Sequence, residues 1–259
     1  MAYYYDRMYK GATEIRSLIA NEKTLWTKNI PVEQLVIDES KITIFHLDSS
    51  DKRVDVALET EIFTATSGTD SVTRYIYYSG DQGPFEIYFG NGWVASNNYS
   101  ITGSSIPSNS TVKIVTLPDN LTTVQSGLFA SSSALKRCIL TNTKLTVIPG
   151  GMFSSCYALE DLGVIPNTVT TTQGGAIMYA NNLTTVEFAD GENTLDIGSG
   201  TFVSCAGIQN MTLPSRTTSI ASAAFSGSTI QNLVIDKPRD SISGYPWGAA
   251  SIRSITWTG

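Results

Sequence analysis

Histidine occurs once in this chain, at His46, and that scarcity excludes much of the usual chemistry. A lone imidazole has no second His with which to share a metal, and no nucleophile–base constellation surrounds it in "ITIFHLD". Charge is also scarce, at 15% of residues, with a net −6 and no Lys/Arg-rich run, so nucleic acid is not an expected partner. No apolar run approaches the ~18 residues of a membrane-spanning helix. The first stretch, "MAYYYDRMYKGATEIRSLIANEKTLW", lacks the apolar core of a secretory signal. If the first Met is native, the expectation is a chain kept in the cytosol, or one that leaves it by assembly or lysis. Three cysteines, Cys138, Cys156 and Cys205, are too few and too odd for a disulfide framework.

Other candidate sites fall short in the same way. Asp48 and Asp51 in "LDSSDKRVD" could face a cation, but the EF-hand spacing is absent and Asp is at home in turns. The glycine pairs in "PGGMF" and "QGGAI" lack the Lys and the strand–helix setting of a phosphate loop. Paired acids in a glycosidase setting are not recognisable. A non-enzymatic protein without cofactor or metal is expected.

What is present is a repeat. The pattern apolar-x-x-apolar-x-apolar occurs as "LKRCIL" from Leu135, "LEDLGV" from Leu159, "LTTVEF" from Leu183, "IQNMTL" from Ile208, "IQNLVI" from Ile230 and "IRSITW" from Ile252. Starts are 24, 24, 25, 22 and 22 residues apart. Upstream of each strand stands one large side chain: Phe129, Phe153, Ile177, Phe202, Phe225 and Trp247. Five residues before those come Val124, Ile148, Thr172, Ile197, Ile220 and Ile242, of which only Thr172 is not apolar. "VKIVTL", from Val112, reads as a first rung. Neither the strand nor the returning arc of a unit buries its apolar side alone, so the units are expected to stack as a solenoid with the rings inside.

The unit "LPSRTTSIASAAFSGSTIQNLVI" resembles the BspA-like class of leucine-rich repeat, over residues ~112–257. Pro118, Pro166 and Pro214 recur after the strand in support of it. The likeness weakens at Ile177 and in "GYPWGAAS", where a distorted arc or a cap is expected. Cys156 and Cys205 fall at the family's Cys position, two coils apart. At ~4.8 Å per coil they are too distant for a bridge. Ser132, Ala180 and Ser228 fill comparable places, so the slot takes any small residue and all three thiols should be free.

Ahead of the repeats the expected fold is all-β throughout. Residues 1–29 form a Tyr-rich lead in which "MYKGATEIRS" is echoed by "LIANEKTLWT", with Gly11 matching Asn21. Short strands about a turn in each half are expected, an ordinary hairpin or nascent helix being the alternative. The "YKGATEI" piece is similar to the N-termini of phage and prophage tail proteins. Residues 30–101 are strand-rich with turn clusters between, which predicts a β-sandwich-like domain of about seven strands. A Gly/Ser/Pro-rich linker, 102–111, precedes the solenoid, 112–259.

The residues between the apolar strand positions should line one face of the solenoid. They are Lys136, Arg137, Glu160, Asp161, Thr184, Thr185, Glu187, Gln209, Asn210, Gln231, Asn232 and Arg253, and they form the candidate binding face for a host-surface protein or glycan. Tyr3, Tyr4, Tyr5, Tyr9, Leu25 and Trp26 form a candidate anchor for other virion or surface proteins. The expected role is a phage virion protein of the tail, fibre or surface, displaying an adhesive solenoid. A bacterial cell-surface adhesin or protein-interaction module is the alternative, and homo-oligomerisation stays open.

Overall fold

The computed structural model describes residues 8–10, 13–15, 17–20, 23–27, 37, 42–60, 83–91, 111–238 and 246–259. Every regular element among them is a strand.

In the lead, β1 (Met8–Lys10) pairs antiparallel with β2 (Thr13–Ile15), and β3 (Ser17–Ala20) with β4 (Lys23–Thr27). Two residues separate the strands in each pair, and the two pairs follow the ten-residue echo. The echo is a doubled hairpin.

The next sheet is mixed. β6 (Arg53–Thr60) and β7 (Phe85–Phe89) flank β5 (Ile42–Leu47) antiparallel. β7 then pairs in parallel with β8 (Val112–Thr116), and β8 with β9 (Arg137–Ile139). Expected strands "KITIFHL", "RVDVAL" and "FEIYF" are present. The other expected strands of 30–101, and the 102–111 linker, lie outside the described residues. What the structure shows is one sheet running from the N-terminal strands into the first rungs, with Ile87 and Phe89 buried in the same core as the repeats.

From there the chain coils. One ladder holds β11 (Val164–Ile165), β13 (Thr185–Phe188), β15 (Ile208–Leu213), β17 (Thr229–Ile235) and β18 (Ser251–Trp257), all parallel. A bridge between Arg137 and Asp161 links it to β9. A second parallel ladder holds β10 (Val147–Ile148), β12 (Thr171–Thr172), β14 (Leu195–Ile197) and β16 (Thr217–Ile220). The corner between ladders is an i→i+3 turn that starts at Pro118, Leu140, Pro166 or Pro214, whose carbonyls accept from Leu121, Thr143, Val169 and Thr217. Where proline starts the turn it ends the strand pairing, since it has no N–H to continue the ladder as that of Leu140 does to the Leu162 carbonyl.

The arc carries the rings. Phe129, Phe153, Ile177, Phe202 and Phe225 are fully buried. Phe129 stacks on Phe153 at 5.3 Å, Phe202 on Phe225 at 5.7 Å and Phe225 on Trp247 at 5.6 Å. Two residues before the ring, φ is positive at Gly127, Gly151, Gly175, Gly200 and Ala223; two after, it is positive at Ser131, Ser155, Tyr179, Ser204 and Gly227. This alternation turns every second N–H along the stack: Phe129 donates to Met152, Ser131 to Ser154, Ile177 to Thr201 and Tyr179 to Val203. The arcs are thereby hydrogen-bonded coil to coil, although they are not strands.

Two positions depart from the expected pattern. In the second coil the third inward residue is Ile165, not Val164: Ile165 is buried and pairs with Phe188, while Val164 is half-buried beside Glu187. Gly163 absorbs the extra residue with φ +64°, and a Cβ there would collide with Thr141 Oγ1. In the third coil, buried Thr172 replaces an apolar residue. Its hydroxyl lies 2.9 Å from Thr201 Oγ1 and accepts from Gly198 N at 3.2 Å, which meets the cost of burying it. In the sixth coil Trp247 takes the ring slot, while 239–245, including Ile242, lie outside the described residues.

Candidate interaction surface

The strand ladder places the candidate face in columns one residue per coil wide. One column runs Arg137, Asp161, Thr185, Asn210, Asn232 and Ser254. Its amide end is hydrogen-bonded to itself: Asn232 Nδ2 donates to Asn210 Oδ1 at 3.1 Å, and Ser254 Oγ lies 3.0 Å from Asn232 Oδ1. Beside it stand Thr184, Gln209, Gln231 and Arg253, and on the other flank Glu187, Thr212, Val234 and Thr256. Glu160, Asp161, Thr184, Thr185, Glu187, Gln209, Asn210, Asn232 and Arg253 are exposed, and Gln231 is half-buried. Side chains that pair along a ladder lose their freedom before any partner arrives, so less ordering entropy remains to be lost on binding.

The charged end is differently occupied. Lys136 Nζ holds Asp51 Oδ2 at 2.7 Å, and Lys113 Nζ holds Asp51 Oδ1 at the same distance; Glu160 is 3.9 Å from Lys136. Hydrogen bonds from these two ammonium groups keep the Asp51 carboxyl below its usual range, and Asp51 in turn raises Lys136. Lys136 is therefore committed to joining the N-terminal sheet to the first coils. Asp161 Oδ1 accepts from Gly163 N at 2.7 Å and so supports the bulge. Arg137, which is exposed, bridges to Asp161 through the backbone.

The remaining polar candidates have structural partners. Asp48 Oδ1 accepts from Ser50 N and Lys52 N, which lowers its carboxyl from the ordinary value. His46 is half-buried, its ring 5.4 Å from that of Phe85. Among the described residues no group of His, Cys, Asp and Glu has the arrangement of a metal site. Of the candidate anchor, Tyr9 lies in β1 and Leu25 and Trp26 in β4, while Tyr3, Tyr4 and Tyr5 lie outside the described residues.

Three features escaped the sequence reading. Arg53 forms a two-point pair with Glu86 at 2.6 and 2.7 Å and lies 4.2 Å over the Phe45 ring. Buried Arg216 reaches into a corner and donates to the carbonyls of Ala189 and Val169 at 2.7 and 2.9 Å, tying three coils together. Tyr157 and Tyr179 are exposed on the arc. Only the added residues of "ADGENT", which lengthen one corner, hinted at a space that a long side chain would fill.

The cysteines complete the coil description. Cys156 Sγ donates to the Phe129 carbonyl at 3.0 Å, Cys205 Sγ to that of Ile177 at 2.9 Å, and Ser228 Oγ to that of Phe202. In these three coils the small-residue slot holds a donor that reaches back one coil to the ring residue, whereas Ala180 has no donor there and buried Ser132 Oγ has no such partner. All three thiols are free and buried. The family model of the BspA type leucine rich repeat region matches residues 93–196 and 179–258, with six copies. The chain belongs to that family. The match spans the coils, the ring-bearing arcs and the small-residue slot just described, so the BspA-type repeat accounts for most of the described residues. No curated protein and no solved structure matches the chain. Among the described residues no helix is long and apolar enough to cross a membrane. A BspA-type array of this kind is an interaction scaffold, with a rigid core and a laterally exposed strand face.

Proposed function

We propose that this BspA-type repeat protein is a non-enzymatic adhesion protein of a phage virion, carried on the tail, a fibre or the particle surface. Its N-terminal segment attaches to other virion proteins, and its solenoid meets a protein or glycan on the host surface. The observation that carries this reading is the asymmetry of the molecule. At one end the coils continue into the N-terminal sheet and are clamped to it through Asp51, whereas the strand face stays exposed along the whole array. The polar residues elsewhere support a non-catalytic role, since His46, Asp48 and Asp51 are engaged in holding the fold. The doubled hairpin of the lead suits attachment, because two-stranded units this small gain stability by docking.

A chain lacking residues 1–29, supplied in a complementation experiment, tests this reading. The truncated protein is expected to keep its β-rich circular dichroism yet to be missing from purified particles. Normal incorporation would place the attachment elsewhere. Recovery of the full-length chain on bacterial envelopes, and not on particles, would favour the cell-surface adhesin instead.

A further inference from the structure

Among the described residues of the solenoid, the arc and not the strand ladder holds the exposed aromatic residues. Tyr157 is 51% and Tyr179 37% exposed, in coils where the equivalent places are otherwise small or polar. Ser155 N donates to the Met178 carbonyl, so Ser155 lies beside Tyr179 and Tyr157 falls beside Asn181 on the next coil. The two tyrosines thus lie on neighbouring coils, which are spaced about 4.8 Å, and are offset from one another by two residues along the arc.

Two further observations bear on what this patch meets. The arc carries no charge: "SGLFASSSA", "GGMFSSCYA", "GGAIMYANN", "SGTFVSCAG" and "ASAAFSGST" contain no Asp, Glu, Lys or Arg. What surrounds the rings is hydroxyl and amide, with Ser155, Asn181 and Asn182 nearest in the coil pattern. Tyr179 also sits where the backbone least favours it. Its φ is +61°, at the place that the other coils give to Ser131, Ser155, Ser204 and Gly227. A bulky residue in the left-handed region is strained, and retained strain marks a place where the side chain serves something other than local stability.

We propose that Tyr157 and Tyr179 form a binding site for neutral sugar residues on the arc face. A pyranose ring has an apolar C–H face that lies against an aromatic ring and hydroxyl groups at its rim that Ser and Asn side chains bind. An uncharged patch suits a neutral glycan and offers nothing to an acidic or basic partner. This names a second face of the solenoid and narrows the glycan of the adhesive reading above to a neutral one. It stands on its own geometry, whatever the strand face or the N-terminal segment does.

The test is saturation-transfer NMR on the full chain with lactose, maltotriose, cellobiose and N,N′-diacetylchitobiose, and with sialyllactose as a charged comparison. At least one neutral sugar is expected to bind, and its Kd to rise tenfold or more in both Tyr157→Ala and Tyr179→Gly. Tyr179→Gly removes the ring while relaxing the backbone, so its melting temperature should not fall and lost binding will not reflect unfolding. The proposal is overturned if no neutral sugar receives saturation, if sialyllactose alone does, or if either variant binds as well as the parent. Because the assay needs no particle, its failure is separate from failure of virion incorporation.

Discussion

The ring of Phe225 lies between those of Phe202 and Trp247, with centroids 5.7 and 5.6 Å away and planes within 10° and 16° of parallel. Three consecutive coils are thus joined through one side chain that solvent does not reach. Phe225→Ala should lower stability by about 3–5 kcal/mol, through lost burial and a cavity that neighbouring arcs cannot close. Chemical denaturation measures it. A loss under about 1 kcal/mol would mean that the stack does not hold the coils.

Ala223 is a second, opposite case. Its φ is +57°, at the place where four other coils carry Gly127, Gly151, Gly175 and Gly200. Left-handed backbone costs an L-residue about 1–2 kcal/mol, and the added freedom of Gly in the unfolded chain returns about half of that. Ala223→Gly should raise the melting temperature by roughly 2 °C. A fall would show that the αL position is not strained.

The clamp at Asp51 predicts a pH dependence. Its carboxyl is depressed in the folded state by hydrogen bonds from Lys113 and Lys136, so its contribution is present above the unfolded pKa and is lost as pH falls through the folded value. Asp51→Asn should cost about 1 kcal/mol near neutrality, a modest figure because both lysines are partly exposed. Melting curves of the two proteins should converge as the pH drops below about 4. A gap that persists in acid would assign the effect to something other than the carboxylate.

The thiols predict the behaviour at the alkaline end. Desolvation raises Cys156 and Cys205 to about 12, and Cys138 well above its ordinary value. A raised pKa favours the folded state fully below the unfolded value near 8.5, and that stability is lost as pH rises toward the folded value. Alkylation at pH 8 should leave the native chain unmodified and add three groups after denaturation without reductant. An adduct on the native protein would show a thiol that the arc does not enclose.

Much of this molecule was legible in its residues because a solenoid is nearly one-dimensional. Each coil contacts only its neighbours, so the spacing of Leu135, Leu159, Leu183, Ile208, Ile230 and Ile252 translates directly into a stack of rungs. The ring column, the free thiols and the exposed x positions follow from the same period. Period alone could not place Ile165 inward in place of Val164, since that depends on Gly163 taking a left-handed φ. Nor could it show that Lys136, one of the candidate binding residues, is held by Asp51 from a turn 85 residues earlier. Long-range charge pairing leaves no mark on local spacing. The sequence by itself determined the coil, because burial repeats with the chain. The tertiary structure decided which polar side chains remain available, because a charge or an aromatic ring is free or engaged only according to what the fold sets beside it.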